Sequence, residues 1–563
     1  MRPPASASRN PHLILGIFAL AFIAVVLRLA WLQLVAGPEL AESALNRRTY
    51  VASVNAKRGT IYDRNGNVLA MSIDCSTIYC NPKEISDAPT TARVLASILG
   101  GTGSDWLEQL TQDSTFVYLR RQADVDDATD LREALAEQDL PGIYYLPDTK
   151  RIYPYGATAG QILGFVGIDG EGLSGLELYY DEILSGENGE LRMEVGRDGT
   201  PIAGGISELI EPDDGADIVI SLDIDIQRMA EEKIVEGVKT YEAETGSVMV
   251  VNPSNGEILA ACSTPFLDLT KPDEITAEAM NLKLVSSSFE PGSIFKVLTM
   301  SVGLESGQLQ RYSTWTVPPE VQVGDDMVSD DDKRDWTMDM NIEEILRRSS
   351  NAGTVMAART IGADVFAEGV DAFGIGHTTG IDFPGEVEGL VTVREDYRAT
   401  TLPSMAFGQE LAIPMVQMVR AVGAIANDGV PTTPHFLVTA RGEDAEWEAQ
   451  PRIISAKTAN IITEFMRTVV NEGTAAGAAV EGYDIAGKTG TGQQTKEGYA
   501  GYVEGYNMSS LIGFANAEEP TILVYVGLNG TPYRSSESTA MVFSAIMGEA
   551  LMDMGVAPTV LEQ

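Results

Sequence analysis

The sequence predicts an α+β architecture behind a single N-terminal apolar helix. Three observations predict it. An apolar run near the N-terminus is long enough to cross a bilayer. Short β-like runs between turn signals fill residues 38–215. After residue 215, strand-like segments stand at both ends of the remaining chain with helical runs between them. That is the pattern of a sheet flanked by helices, α+β or α/β in class, and α+β is the expectation. At 563 residues the chain is too long for one ordinary domain, and with 44% apolar residues it can bury a sizeable core.

Leu13 to Leu27 is uninterrupted apolar sequence (LILGIFALAFIAVVL), and after Arg28 the apolar character resumes as LAWLQLVAG. A helix of about 23 such residues spans a hydrocarbon layer of about 30 Å. Arg28 stands near one end, where it can snorkel to the interface, and Trp31 suits the interfacial aromatic belt. Arg2 and Arg9 precede the run, so the positive-inside rule places the N-terminus in the cytoplasm and everything after Gly37 outside. A cleaved signal peptide shares the basic start and the apolar run. Here the run is long and no clean Ala-x-Ala site follows closely, which favours a retained anchor. Either reading exports the rest of the chain. No second stretch of about 18 apolar residues follows, so a single pass is expected.

In the middle region, Gly59–Ile73 (GTIYDRNGNVLAMSI) carries Asn65-Gly66 between apolar runs, a strong hairpin signal. Lys150–Gly167 is a second β-like run. Pro212-Asp213-Asp214-Gly215-Ala216 marks a boundary. Beyond it, Asp217–Val238 reads as a strand followed by an amphipathic helix, and Gly246–Ser263 as a hairpin turning at Pro253–Gly256. Helical runs then dominate to about Gly473. Strands return at Tyr483–Gly492 and Pro520–Leu528, and Ser538–Met554 reads as a closing helix.

Composition excludes several functions. A formal net charge of -42 argues against nucleic acid as a partner, because phosphate binding needs clustered Lys and Arg. The acid is spread through the chain and reads as a solvated surface. Cys75 and Cys80 would lie about 16 Å apart along a strand, beyond the ~7 Å reach of a disulfide. With Cys262 they form no zinc spacing. His12, His377 and His435 have no sequence neighbours that suggest a metal site or a triad. The acidic run Asp325–Asp335 (DDMVSDDDKRD) lacks the Gly and Glu positions of a calcium loop and reads as a solvated loop.

Three segments carry residues able to do chemistry. In Glu290-Pro-Gly-Ser293-Ile-Phe-Lys296, a turn leads into a helix and places Ser293 and Lys296 on one face at i and i+3. A serine hydroxyl becomes a nucleophile when a base takes its proton, and a buried lysine beside positive charge can be that base. Read alone, such a pair is more often a solvated surface pair. In Arg348-Ser349-Ser350-Asn351, Ser349 and Asn351 offer a hydroxyl and an amide for proton relay and peptide binding; read alone, Ser349 or Ser350 is a helix cap. In Ile485-Ala-Gly-Lys488-Thr489-Gly490-Thr491, a strand would turn Thr489 and Thr491 one way and Lys488 and Gly490 the other. Two hydroxyls backed by a cation can hold a carboxylate, Gly490 would admit a substrate backbone, and the N–H groups of Thr491 and Ser293 can form an oxyanion hole. Gly482 to Thr489 also spells a phosphate-loop pattern, but neither the preceding strand nor the following helix is present.

The three segments occur in the order Ser-x-x-Lys, Ser-x-Asn, Lys-Thr-Gly, and in that order the chain resembles the penicillin-binding proteins. The resemblance extends to Arg58-Gly-Thr-Ile-Tyr-Asp63-Arg64-Asn-Gly66, Gly175-Leu-Glu177, Glu472-Gly473-Thr474 and Ile512-Gly513-Phe514-Ala515, which look like motifs of the class B, high-molecular-weight members. Gly408-Gln409-Glu410 and Asn516 depart from that pattern. The resemblance implies a cytoplasmic tail at 1–11, an anchor at 12–36, an elongated mostly-β pedestal or dimerisation domain at 37–215 and a serine β-lactamase-like transpeptidase domain at 216–556. It implies that Ser293 attacks the penultimate D-Ala carbonyl of a stem pentapeptide with Lys296 as base. Ser349 would help protonate the leaving D-Ala, Asn351 would hold the peptide and Lys296, and Lys488, Thr489, Gly490 and Thr491 would receive the terminal carboxylate end. An amine on a neighbouring stem then takes the acyl group, with no metal or cofactor. β-Lactams would acylate Ser293, the bacterial membrane would hold the anchor, and a glycan polymerase of the shape, elongation, division and sporulation (SEDS) family is the expected partner, with a lean to division. Rival readings are a β-lactam-hydrolysing or sensing acylase, a D,D-carboxypeptidase or endopeptidase, and a silent cell-wall scaffold.

Overall fold

The computed structural model describes residues 11–37, 49–194, 207–495, 502–517 and 519–558. Arg2 and Arg9, on which the orientation expectation rests, lie outside the described residues. The apolar run forms one helix, Pro11–Leu34, of 24 residues. At about 1.5 Å per residue it is long enough to cross a membrane, and none of it is buried. The Arg28 guanidinium lies 4.5 Å over the Trp31 ring, one turn away on the same helix face.

The chain folds into two compact units, and neither is a single stretch of sequence. One comprises Met1–Lys57, Asp74–Lys150 and Glu187–Asp214. It contains an antiparallel sheet of Thr49–Val54, Gly189–Glu194 and Ser207–Ile210. It also contains three helices, Ala88–Leu99, Gly103–Leu110 and Val125–Glu137, around a core that includes Ile78, Leu95, Trp106 and Leu131. Asp87 and Thr102 start the first two of these helices, each accepting a backbone N–H three residues on. Cys75 and Cys80 are buried here as free thiols.

The second unit comprises Arg58–Ile73, Arg151–Gly186 and Gly215–Gln563. The Asn65-Gly66 turn forms as expected. Asp63 Oδ1 accepts the N–H groups of Asn65 and Asn67, both at 2.8 Å, and Gly66 takes a φ of 85°. Two family-like segments distant in sequence meet in a buried ionic node. Arg58 pairs with Glu177 at 2.5 Å and with Asp181 at 2.6 Å, and Arg151 reaches the other Glu177 oxygen at 2.8 Å. Glu177 is wholly buried, so two guanidinium groups offset the desolvation of one carboxylate.

One sheet of this unit has five antiparallel strands in the order Ile258–Ser263, Thr245–Val251, Ile522–Thr531, Tyr502–Ala515, Ile485–Thr495. Its strands come from both ends of the unit, as expected. The hairpin pairs Val251 with Ile258, and the late strand Ile522–Thr531 pairs along the early strand Thr245–Val251. Helices Ile224–Thr240 and Thr539–Asp553 pack on each other and on this sheet. The strand Tyr502–Ala515, which joins the two expected late strands, is a finding of the structure. So are two short antiparallel pairings within residues 314–341, one nested inside the other, in a region read as helical. The Ile485–Thr495 strand stands at the sheet edge, so alternate N–H and C=O groups along it face away from its one partner.

Candidate active site

Ser293 lies on a single 3-10 turn, Gly292–Phe295, that feeds the helix Lys296–Glu305. In such a turn side chains at i and i+3 eclipse, so Ser293 and Lys296 share one side. The turn is pinned from behind. Phe289 and Ile413 exchange backbone hydrogen bonds, and Gly292 N–H donates to Gly408 O at 3.0 Å. Gly408 has a φ of 83°, and a Cβ there would stand 2.1 Å from Gly292 O. Lys296 is fully buried, whereas Ser293 is half-exposed and, among the described residues, its hydroxyl has no hydrogen-bond partner.

The second segment separates two helices. Ile342–Arg348 ends at Ser349, which takes the left-handed conformation with φ 59°, and Asn351–Ile361 begins after Ser350. The two serines divide the roles that sequence left open. Ser350 is the helix cap, its Oγ accepting Gly353 N–H at 2.9 Å. Ser349 turns toward Lys296 and offers it both its carbonyl oxygen, 2.5 Å from Nζ, and its Oγ, 3.3 Å away. The left-handed backbone costs about 1 kcal/mol for a residue with a Cβ. Asn351 Oδ1 accepts from Lys296 Nζ at 2.7 Å.

The third segment is the edge strand. Lys488 Nζ donates to Ser349 Oγ at 2.9 Å and to Thr489 O at 2.8 Å, and its side chain is fully buried. Two lysine amines thus converge on one serine hydroxyl. Thr489 and Thr491 point to the other face, as alternation requires. Thr489 Oγ1 meets Thr474 Oγ1 at 2.8 Å, and Thr491 Oγ1 meets Ser535 Oγ at 2.8 Å. Thr491 is half-exposed and Thr489 is buried. The space a Cβ of Gly490 would take is filled by Ser510 Oγ at 2.6 Å, Ile294 Cγ2 at 3.0 Å and Pro291 O at 3.0 Å. The glycine therefore admits the Ser293 turn against the strand, where a substrate backbone was expected. Lys488 lies mid-strand opposite Ile512, and the strand continues to Thr495, so the phosphate-loop spelling has no loop behind it.

Burial dominates the electrostatics. It lowers the Lys296 amine to about 8, against a partial offset from Asp331 and Asp330. Burial also pushes Lys488 well down, and the neighbouring Lys296 charge pushes the same way. Two ammonium groups sharing one hydroxyl in a dry site disfavour double protonation, so the pair gives up a proton within reach of neutral pH. Among the described residues no group of three or more His, Cys, Asp or Glu side chains is set to hold a metal ion.

The acidic run corrects an expectation. Asp326–Ser329 is a strand, and Asp330 and Arg334 are buried rather than solvated. Asp330 accepts Ser350 Oγ at 2.9 Å, Ala352 N–H at 2.9 Å and Arg334 Nε at 3.1 Å. Arg334 also caps the carbonyls of Val317, Pro318 and Trp336. A carboxylate buried behind the cap of the second segment is thus what holds Ser349 and Asn351 in place. Asp330→Asn leaves the Arg334 guanidinium buried without its counter-charge. Such a change costs about 3–5 kcal/mol, and it is expected to lower the thermal midpoint of the isolated protein measurably. An unchanged midpoint would remove Asp330 as the brace.

Sequence reasoning missed Thr474 as a partner of Thr489, although its Glu-Gly-Thr segment was noted. It missed Ser535 altogether, because a polar turn before the closing helix carries no signal of what it packs against.

Residues 246–548 match the penicillin-binding protein transpeptidase domain, and residues 53–220 match the penicillin-binding protein dimerisation domain. The stage V sporulation protein D of Bacillus subtilis is 29% identical, covering 96% of this chain and 85% of that protein. The peptidoglycan D,D-transpeptidase FtsI of Escherichia coli is 27% identical, covering 98% and 92%. Penicillin-binding protein 3 of Mycobacterium tuberculosis, solved in complex with aztreonam, superposes with a TM-score of 0.70 at 25% identity, covering 91% of this chain and all of that one. The transpeptidase match alone takes in more than half of the sequence, and with the dimerisation match before it the chain belongs to the class B penicillin-binding proteins.

Proposed function

We propose that this chain is a peptidoglycan D,D-transpeptidase that works through a Ser293 acyl-enzyme. One observation carries the reading: two buried lysine amines, Lys296 and Lys488, meet at the Ser349 hydroxyl beside the Ser293 turn and an edge strand. Neutral Lys296 takes the proton of Ser293 as its oxygen attacks the penultimate D-Ala carbonyl. The N–H groups of Ser293 and Thr491 receive the oxyanion. The bond between the two D-Ala residues breaks, and the proton passes from Lys296 through Ser349 to the departing amine. Asn351 holds Lys296 and the donor peptide. Lys488, Thr489 and Thr491 form the carboxylate end, with Thr491 the half-exposed hydroxyl of the two, and Gly490 lets the Ser293 turn pack against that strand. An acceptor amine then attacks the Ser293 ester, Lys296 takes the amine proton and returns it to the departing Ser293 oxygen, and the new amide forms as the serine is freed. The edge strand supplies outward backbone groups that an extended stem peptide can pair with. β-Lactams acylate Ser293 by the same attack.

The supporting organisation is an anchor at 12–36 with its tail at 1–11 in the cytoplasm, a pedestal at 37–215 and a catalytic domain at 216–556 outside the membrane. The long apolar helix and the order of the two family matches support the anchor and the two domains, and Arg2 and Arg9 before the helix support the orientation. A SEDS glycan polymerase is the partner, in division.

The test is the protein in detergent with a D-Ala-D-Ala-terminated stem pentapeptide and an amine acceptor. Release of D-Ala together with an amide-linked dimer, both blocked by penicillin, is expected. Release without dimer makes it a carboxypeptidase. Rapid turnover of penicillin makes it a hydrolase, and neither product makes it a scaffold.

A further inference from the structure

The carboxylate end of the cleft offers few free donors. Lys488 is fully buried and donates to Ser349 Oγ and Thr489 O. Thr489 is buried, and its hydroxyl meets that of Thr474. Thr491 Oγ1 accepts the Ser535 N–H at 3.3 Å, and the single hydroxyl proton of Ser535 goes to Gly490 O. The 2.8 Å contact between the two hydroxyls is therefore made by the Thr491 proton, which points inward to Ser535 Oγ. A carboxylate arriving from solvent meets a threonine lone pair before it meets a proton.

Arg534 precedes Ser535 on the turn between the strand Ile522–Thr531 and the helix Thr539–Asp553. The backbone is pinned on both sides of it. Ser509 Oγ donates to Tyr533 O at 2.6 Å, Ser538 Oγ donates to Arg534 O at 2.8 Å, and the Ser535 N–H reaches Thr491. The Tyr533 ring packs edge-on to Tyr241, with centroids 5.7 Å apart. The Arg534 side chain itself is exposed. Among the described residues its guanidinium makes no ion pair, hydrogen bond or ring contact, which of the other described arginines is true only of Arg398 and Arg441. The chain carries 81 acidic residues against 39 basic ones, so a guanidinium without a carboxylate partner is the exception. Arg534 Cα is two bonds from Ser535 N and so lies within about 6 Å of Thr491 Oγ1. An extended arginine side chain spans that distance.

We infer that Arg534 is a specificity-determining residue, the exposed cation that takes the terminal carboxylate of the ligand beside Thr491. The inference rests on the reading of Thr489 and Thr491 as the carboxylate end, and it adds the surface charge that the motif residues lack. A planar guanidinium can hold a carboxylate through two parallel N–H bonds, which a buried ammonium and an inward-turned hydroxyl cannot. The rigid turn fixes the base of the side chain, and its free end pays no cost of leaving another partner. Because the group is exposed, its attraction is screened by salt.

The experiment compares acylation of the full chain in detergent by benzylpenicillin and by its methyl ester, in wild type, Arg534→Gln, Arg534→Lys and Arg441→Gln. The readout is the carboxylate-to-ester ratio of second-order rate constants at ionic strengths of about 0.01 M and about 1 M, where the screening length is about 30 Å and about 3 Å. In Arg534→Gln the ratio is expected to fall about three- to tenfold at low salt, with the loss in the binding step, and most of that loss should vanish at high salt. Arg534→Lys keeps the charge without the fork and falls between the two. Arg441→Gln removes the same charge elsewhere on the surface and leaves the ratio as in wild type. A ratio unchanged in Arg534→Gln, or lowered as much in Arg441→Gln, overturns the assignment of Arg534. So does a loss equally large at both ionic strengths, which would come from a rearranged turn and not from an exposed charge. A wild type that does not prefer the carboxylate instead overturns the carboxylate reading of the strand, and a wild type acylated by neither ligand overturns the acyl-enzyme.

Discussion

Ser293→Ala is expected to abolish covalent labelling by a fluorescent penicillin and to reduce D-Ala release by at least about 10⁴-fold, the scale on which covalent catalysis fails without its nucleophile. The geometry leaves no substitute. Ser349 is the nearest other hydroxyl of the three segments to the lysines, but it is engaged by Lys296 and Lys488 together. Ser350 is buried as a helix cap against Asp330, and Thr491 is tied to Ser535. The variant should fold as wild type does. Ser293 is half-exposed and its hydroxyl holds no partner among the described residues, so its loss falls in the class of substitutions worth within about 0.5 kcal/mol. Labelling and thermal unfolding measured on one preparation therefore separate chemistry from stability. A labelled Ser293→Ala band at wild-type intensity would place the nucleophile elsewhere and dismantle the mechanism.

The parts of the site that were legible in the sequence are those whose geometry is local. The spacing of Ser293 and Lys296 puts them on one side of a turn, whatever lies around them. Alternation along Ile485–Thr495 separates Lys488 from Thr491. The hairpin at Gly246–Ser263 and the turn at Asn65-Gly66 follow from short-range chemistry. What escaped depends on contacts made far along the chain. Asp330 reads as one more acid in a charged run; its burial is decided by Arg334 and by the Ser350 cap 20 residues on. Ser349 and Ser350 are the same residue type in adjacent positions. Only the left-handed turn at Ser349 assigns one to the lysines and the other to the helix. The compact units interleave, with Arg58–Ile73 and Arg151–Gly186 belonging with the residues after 215: Ile61 and Tyr62 pair with Ile218 and Val219, Gln161 accepts Ser263 N–H and donates to Ala279 O, and the Arg58–Glu177–Arg151 node ties the two inserted segments to each other. No composition shift marks those crossings.

Lys296 gives the second large effect, and its sign with pH can be worked out. As base, Lys296 must be neutral when Ser293 attacks. Burial lowers its amine to about 8, so at pH 7 roughly a tenth is in the competent form, and the fraction falls tenfold for each further unit of acid. Acylation by penicillin is therefore expected to climb through pH 6–8 and level off above, with an acid limb centred near 8 in the free protein. Lys488 is depressed as well, so the pair shares the loss of a proton. A ligand carboxylate beside Lys488 stabilises that ammonium and leaves Lys296 as the neutral member; the neighbouring ammonium pushes Lys296 down further, so in the bound complex the limb lies below 8. Lys296→Ala removes the base and should slow acylation by about 10²–10⁴-fold, the range for a lost general base. Lys296→Arg keeps the positive charge but cannot deprotonate, so it should be as slow as the alanine variant and should lack the limb. Measured rates that stay flat from pH 6 to 9, or an arginine variant that acylates normally, would show that the amine acts only through its charge, and the base would have to be sought in another group facing Ser293.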